Sequence, residues 1–132
     1  MSSTPARKTG QQISGQAAEQ AALEHIQRHK LRLVTRNFNV RGGELDLVML
    51  DGATLVFVEV RLRNRSGLVS AVESVSLTKQ RRLIHAAQCF LAAHPEHAAR
   101  PCRFDVIGIQ HSIGMSTQTL EWQKNAFEAN SY

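Results

Sequence analysis

Between Gly43 and Arg63 the chain carries two apolar runs, Gly43-Glu44-Leu45-Asp46-Leu47-Val48-Met49-Leu50 and Thr54-Leu55-Val56-Phe57-Val58-Glu59-Val60-Arg61-Leu62-Arg63, joined through Asp51-Gly52. Their aliphatic content and the turn chemistry between them predict two antiparallel strands. In an extended strand side chains alternate, so Leu45, Leu47 and Met49 should share one face and Glu44, Asp46 and Val48 the other. The same counting sets Phe57, Glu59 and Arg61 opposite Val56, Val58, Val60 and Leu62. Carboxylates among such neighbours lose hydration, which is expensive unless a cation, a hydrogen-bond network or a metal compensates. Two carboxylates about 4 Å apart repel by roughly 4 kcal/mol at an effective dielectric of 20. The acids must therefore bind a metal, bind Arg61 or hold a proton.

The rest of the chain supplies helices to cover these strands. Ser14 is a cap for a helix to about His29, with Glu19, Ala22, Leu23 and Ile26 on one face. A strand over Arg32 to Asn37 precedes the Gly42-Gly43 turn, and Asn64 to Ser76 has no period and should form a loop. A second helix after Ser76 should bury Leu83, Ile84, Ala87 and Leu91 and stop before Pro95. Arg103 to Gln110 and Thr119 to Gln123 alternate as two further strands. The order α-β-β-β-α-β-β makes the second helix a crossover to a parallel strand, predicting an α/β fold with a central mixed sheet and helices packed on it. Residues 14–128 form a single expected domain, between a disordered tail over 1–13 and a short tail over 129–132.

Lys and Arg outnumber Asp and Glu by 16 to 11 in the 132 residues, an excess that suggests an anionic partner such as nucleic acid. Arg61, Arg63 and Arg65 share a face if the strand persists, and Lys79, Arg81 and Arg82 crowd the start of the second helix. Cations there oppose the helix dipole unless an anion such as a phosphate sits nearby; the plainer alternative is a solvated face. Acidic and basic residues interrupt every apolar run, so no membrane span is expected. Residues 1–13 lack the apolar segment of a secretory signal, which predicts a cytoplasmic protein with Cys89 and Cys102 reduced. Glu44 should face solvent, and Asp105, which alternates with Ile107 and Ile109, could be buried against an Arg. His25 and His29 have helical metal-pair spacing without a third ligand, His94 and His97 should be surface residues, and Phe104 and Trp122 should be core.

Hard divalent cations prefer oxygen ligands, and one or two carboxylates with waters and substrate phosphates is a common Mg²⁺ arrangement. Asp46 and Glu59 would be the ligands, with Glu19 facing them from the first helix. Asp46 followed by Glu59-Val60-Arg61 resembles the Asp…Glu-x-Lys signature of the PD-(D/E)xK restriction-endonuclease-like superfamily. The run from Gly15 to Phe127, with Gly43-Glu44-Leu45-Asp46-Leu47, Phe57-Val58-Glu59-Val60-Arg61, Lys79 and Arg103-Phe104-Asp105-Val106-Ile107, is similar to the YraN family of bacterial predicted endonucleases, itself similar to archaeal Holliday junction resolvases.

That resemblance implies a restriction-endonuclease-like fold and Mg²⁺- or Mn²⁺-dependent hydrolysis of DNA, including branched or junction DNA, by a protein that could pair as a homodimer. Glu19, Asp46 and Glu59 fall on the family's metal-binding and catalytic acids. Arg61 occupies the position of the catalytic Lys. A guanidinium stays protonated, so it cannot take a proton from water, although it can hold a phosphate. Lys79 could supply the ammonium instead, with Arg63, Arg65, Arg81 and Arg82 along the nucleic acid. A non-catalytic nucleic-acid-binding module on the same scaffold is the alternative, and a protein–protein adaptor a third reading.

Overall fold

Ser14 starts the first helix, α1 (Gly15–Arg28), by accepting the Ala17 N–H on its hydroxyl at 3.1 Å. The helix buries Ala18, Ala22, Leu23 and Ile26, and Glu19 stands half-buried beside that stripe. It ends where Lys30 takes a left-handed φ of +74°, with the Leu31 N–H returning to the Ile26 carbonyl at 3.2 Å and the Lys30 N–H to Gln27 at 2.9 Å. This double closure satisfies carbonyls that a helix end otherwise leaves unpaired.

The computed structural model describes residues 14–63, 72–111 and 118–129. The expected tail 1–13, most of the loop after Asn64, including Arg65, and residues 130–132 of the C-terminal tail lie outside the described residues. Five strands follow α1: β1 (Arg32–Val40), β2 (Gly43–Asp51), β3 (Thr54–Arg63), then α2 (Leu77–Ala93) and a 3₁₀ turn at Pro95–His97, then β4 (Cys102–His111) and β5 (Gln118–Phe127). They form one mixed sheet in the order β1-β2-β3-β4-β5, antiparallel except for the parallel β3–β4 pair that α2 bridges. The α/β architecture expected from the element order is the one observed.

Two strands outrun their expected ends. β1 continues past Asn37 to Val40, and β5 past Gln123 to Phe127. Asn37 (φ +56°) and Asn125 (φ +54°) are left-handed within these strands, a conformation that breaks the two-residue alternation on which strand recognition depends.

The helices cover opposite faces. α2 packs over Val48, Leu50, Leu55, Phe57, Phe104 and Val106, whereas α1 packs over Leu47, Met49, Val56, Val58, Ile107 and Ile109. Phe90 and Ala86 join Leu83, Ile84 and Ala87 in the buried stripe of α2, and the expected Leu91 is only partly buried. Phe90 fills the centre and turns Leu91 toward the rim. His94 is likewise not a surface residue: its ring stacks on Phe90 at 4.1 Å and its Nδ1 lies 2.9 Å from the Phe90 carbonyl. His97 is half-buried and accepts the Arg100 Nε–H at 2.9 Å. No helix of the described residues is long and apolar enough to cross a membrane.

Gly43 brings β2 against α2, because a Cβ built there would clash with the backbone carbonyl oxygen of Arg82. Gly43→Ala must push the helix away, so a loss of about 1–3 kcal/mol is expected by chemical denaturation. The same shift would draw Lys79, carried on the first turn of α2, off the site described next.

Candidate active site

Side-chain alternation fails at facing positions of two neighbouring strands. On β2, Leu47 and Met49 pack under α1 but Leu45 packs under α2, contrary to the shared face expected for all three. On β1, Arg36 reaches α1 while Phe38 packs toward α2. The register pairs Arg36 with Leu47 and Phe38 with Leu45, which brackets the left-handed Asn37 against Asp46. The backbone turn at this pair leaves Asp46 committed to neither core. Its Oδ2 accepts the Val60 N–H at 2.8 Å, just beyond the Leu47–Val58 pair at which the β2–β3 register begins. A carboxylate thus takes the donor that a strand carbonyl would otherwise take.

Glu59 lies beside it and is only 4% exposed. Its Oε2 is 3.5 Å from Arg61 Nη1 and 3.7 Å from Lys79 Nζ, while its Oε1 is buried with no hydrogen-bond partner. Burial, followed by the Asp46 charge, pushes the Glu59 pKa up to about 8, against the pull of Lys79 and Arg61. Burial also raises Asp46, opposed by the Val60 N–H and by a proton-sharing contact with Glu59. At neutral pH the metal-free pair therefore retains a proton, one of the outcomes that the sequence left open.

The cations reach this pair from different elements. Ser76 caps α2 by accepting the Lys79 N–H at 3.1 Å, which places the Lys79 side chain on the helix turn facing Glu59. Arg61 leans on the turn before α2, its Nε donating to Ser74 Oγ at 3.2 Å and its Nη2 to the Ser74 carbonyl at 3.4 Å. Glu19 approaches from α1. Its Oε1 is 3.9 Å from Arg36 Nη2, and the Asn37 amide nitrogen, turned toward it, donates to Oε1 at 3.1 Å and Oε2 at 3.3 Å. Its pKa is raised by burial first and by Asp46 second.

Glu19, Asp46, Glu59, Arg61 and Lys79 thus meet at one end of the sheet, by the carboxyl end of β3 in the parallel pair, where open α/β sheets commonly bind ligands. The three acids do not close into a ready-made cage: among the described residues no group of three or more His, Cys, Asp or Glu is arranged to hold a metal ion. Asp46 and Glu59 form the inner pair, and Glu19 is held back by Arg36 and Asn37. An orphaned buried oxygen beside a second carboxylate, both reluctant to ionise, fits a hard divalent cation that would replace the shared proton. Arg81 and Arg82 lie exposed on the first turns of α2. Arg63 ends β3, and its side chain and Arg65 lie outside the described residues. Sequence reasoning missed Asn37 and Ser74, since neither strand alternation nor loop composition signals a second-row donor.

The remaining candidates are held elsewhere. Glu44 is exposed. Asp105 is fully buried and saturated by Arg103, the Trp122 indole N–H and the Asn125 backbone N–H, so it is a structural anion. His25 and His29 present their rings to Trp122, with centroids 5.9 and 5.5 Å away, and Lys124 Nζ sits 4.6 Å from that ring's centre. Phe104 is core, and Trp122 is half-buried against the α1 side.

A profile of the uncharacterised protein family UPF0102 matches residues 18–109, from the α1 acid to the end of β4's buried run. The chain is similar to a UPF0102 protein of Pseudomonas entomophila, 53% identical over 115 residues, covering 87% of this chain and 93% of the relative. A UPF0102 protein of Stutzerimonas stutzeri is 52% identical over 118 residues, 89% of this chain and 97% of its own length. One from Pseudomonas syringae pv. syringae is 50% identical over 123 residues, with 93% and 98% covered. Likeness of this extent, spanning all five site residues, means that the chain belongs to the uncharacterised protein family UPF0102.

Proposed function

We propose that the protein is a cytoplasmic Mg²⁺- or Mn²⁺-dependent endonuclease of the restriction-endonuclease-like superfamily, cutting phosphodiester bonds in DNA. The observation that carries this reading is the buried, unpartnered Glu59 Oε1 beside Asp46, with the Lys79 ammonium 3.7 Å from the other Glu59 oxygen. Asp46 and Glu59 are the metal ligands, and Glu19 orients the coordination sphere from α1. A divalent ion held there supplies an acidified water and neutralises charge on a phosphoryl oxygen.

The rest is done by this chain's own side chains. Lys79 brings its ammonium to 3.7 Å from Glu59, so a lysine on α2 stands in for the one missing from the β3 motif. Arg61, fixed through Ser74, holds a non-bridging phosphate oxygen, and Arg63, Arg65, Arg81 and Arg82 track the flanking phosphates. The resemblance to YraN and resolvase-like proteins extends the proposal to branched DNA and to a homodimer. A second reading, a nucleic-acid-binding module without chemistry, is favoured by one feature: the motif lysine is an arginine tied into a turn by Ser74.

Purified protein incubated with duplex, single-stranded and branched DNA plus Mn²⁺ separates these readings. Cleavage is expected, falling at least about 100-fold in Asp46→Asn and in Glu59→Gln, as when a transition-state charge contact is removed. Lys79→Ala should be similarly impaired, and Lys79→Arg should not restore it. Salt-sensitive binding without any cleavage would favour the non-catalytic module. Cleavage undiminished in both acid variants would end the nuclease reading.

A further inference from the structure

We infer that Asn37 is a positioning residue for the metal site, fixing the Glu19 carboxylate relative to Asp46; the inference rests on the metal-site reading proposed above. Asn37 lies in mid-strand, with paired residues on either side in Arg36–Leu47 and Phe38–Leu45, yet its φ is +56°. No chain reversal demands that conformation. A left-handed residue inside a strand is held only where its surroundings over-determine it, and such residues concentrate at functional sites. Asparagine tolerates it better than most side chains.

What the conformation accomplishes is visible in the contacts. It turns the face of β1 opposite the same break at Asp46, and it aims the Asn37 amide at both oxygens of Glu19, at 3.1 and 3.3 Å. One residue therefore ties the acid of α1 to the point at which Asp46 leaves the β2 ladder. The chemistry of the donor matters as well. Asn37 is neutral, so it orients Glu19 without cancelling its charge, whereas the cationic Arg36 is only loosely engaged at 3.9 Å and donates its shorter bond, 3.1 Å, to Gln20. A carboxylate held in this way keeps its negative charge directed at a cation beside Asp46.

Asn37→Gly separates the role from backbone geometry, because glycine accepts the left-handed conformation and removes only the amide. The variant should melt with the wild type, retain its backbone NMR spectrum and bind Mn²⁺ about 10-fold more weakly by calorimetry. Glu19→Gln should weaken Mn²⁺ to a similar degree, and the double variant should be no weaker than Glu19→Gln alone. Wild-type Mn²⁺ affinity in either single variant, or losses that multiply in the double one, would overturn the inference. Asn37→Ser, which stays neutral but lacks the amide, serves if the glycine variant does not fold, and the same loss is expected of it. If the wild type itself takes up no Mn²⁺, the metal reading fails on its own, and the side-chain amide protons of Asn37 decide the rest in metal-free protein. Their resonances should move in Glu19→Ala, and unmoved resonances would reject the contact.

Discussion

Asp105→Ala is expected to destabilise the protein by about 3–5 kcal/mol, the usual penalty for stranding the partners of a buried ion. Asp105 has no exposed surface, and its two oxygens accept from Arg103 Nε (3.0 Å), Arg103 Nη2 (3.3 Å), Trp122 Nε1 (3.0 Å) and the Asn125 N–H (2.9 Å). Truncation leaves the indole and backbone N–H groups without this acceptor, and leaves Arg103 with Asp51, 3.0 Å away, as its remaining ion pair. It also releases the irregular step at which Phe104 pairs with Phe127 and Val106 with Gln123. Trp122 is the one tryptophan of the chain, so urea denaturation followed by its fluorescence reports directly on this region. A loss below 1 kcal/mol would mean that the carboxylate is not the hub of these contacts. Asp105→Asn, which keeps part of the acceptor capacity, should fall between the two.

Glu59→Gln has the opposite sign. In the metal-free protein the Glu59 pKa rises from the ordinary 4.5 to about 8, so folding favours the protonated acid. Its favourable contribution is complete below pH 4.5 and is lost as the pH climbs through 8. The wild type should therefore lose stability across that window, and the neutral glutamine should not. The two proteins should melt together at pH 4 and diverge to on the order of 4 kcal/mol by pH 9, the variant being the more stable. Lys79 and Arg61, both partly exposed, lose little when the charge goes. Mn²⁺ should reverse the ranking at pH 8 by stabilising only the protein that binds it. Parallel melting curves at every pH would show that Glu59 ionises normally and remove the electrostatic case for a cation. Asp46 is a poorer probe of the same question, because its hydrogen bond to Val60 mixes a structural loss into the electrostatic gain.

These two acids lie on adjacent parallel strands, with Val58 paired to Asp105 and Glu59 to Val106. In the sequence they look alike, each an acid within an alternating apolar run. The structure separates them by what reaches them: Asp105 collects an arginine and two N–H groups from β4 and β5, whereas no N–H donor reaches Glu59 Oε1. Donor supply, rather than burial, distinguishes the two carboxylates.

What the sequence by itself determined was local. Alternation and the Gly42-Gly43 and Asp51-Gly52 turns specified the first three strands, Ser14 and Ser76 started both helices, and a helix between β3 and β4 required their parallel pairing. Each of these follows from contacts between residues one to four apart, or from the chain length available for a connection. Tertiary structure alone decided that Asn37 and Asp46 turn their strands at one shared point, that Lys79 of α2 comes within 3.7 Å of Glu59, and that N–H donors saturate Asp105 but not Glu59. Desolvation and charge pairing depend on groups brought together from distant parts of the chain, and no local pattern records which donors will arrive.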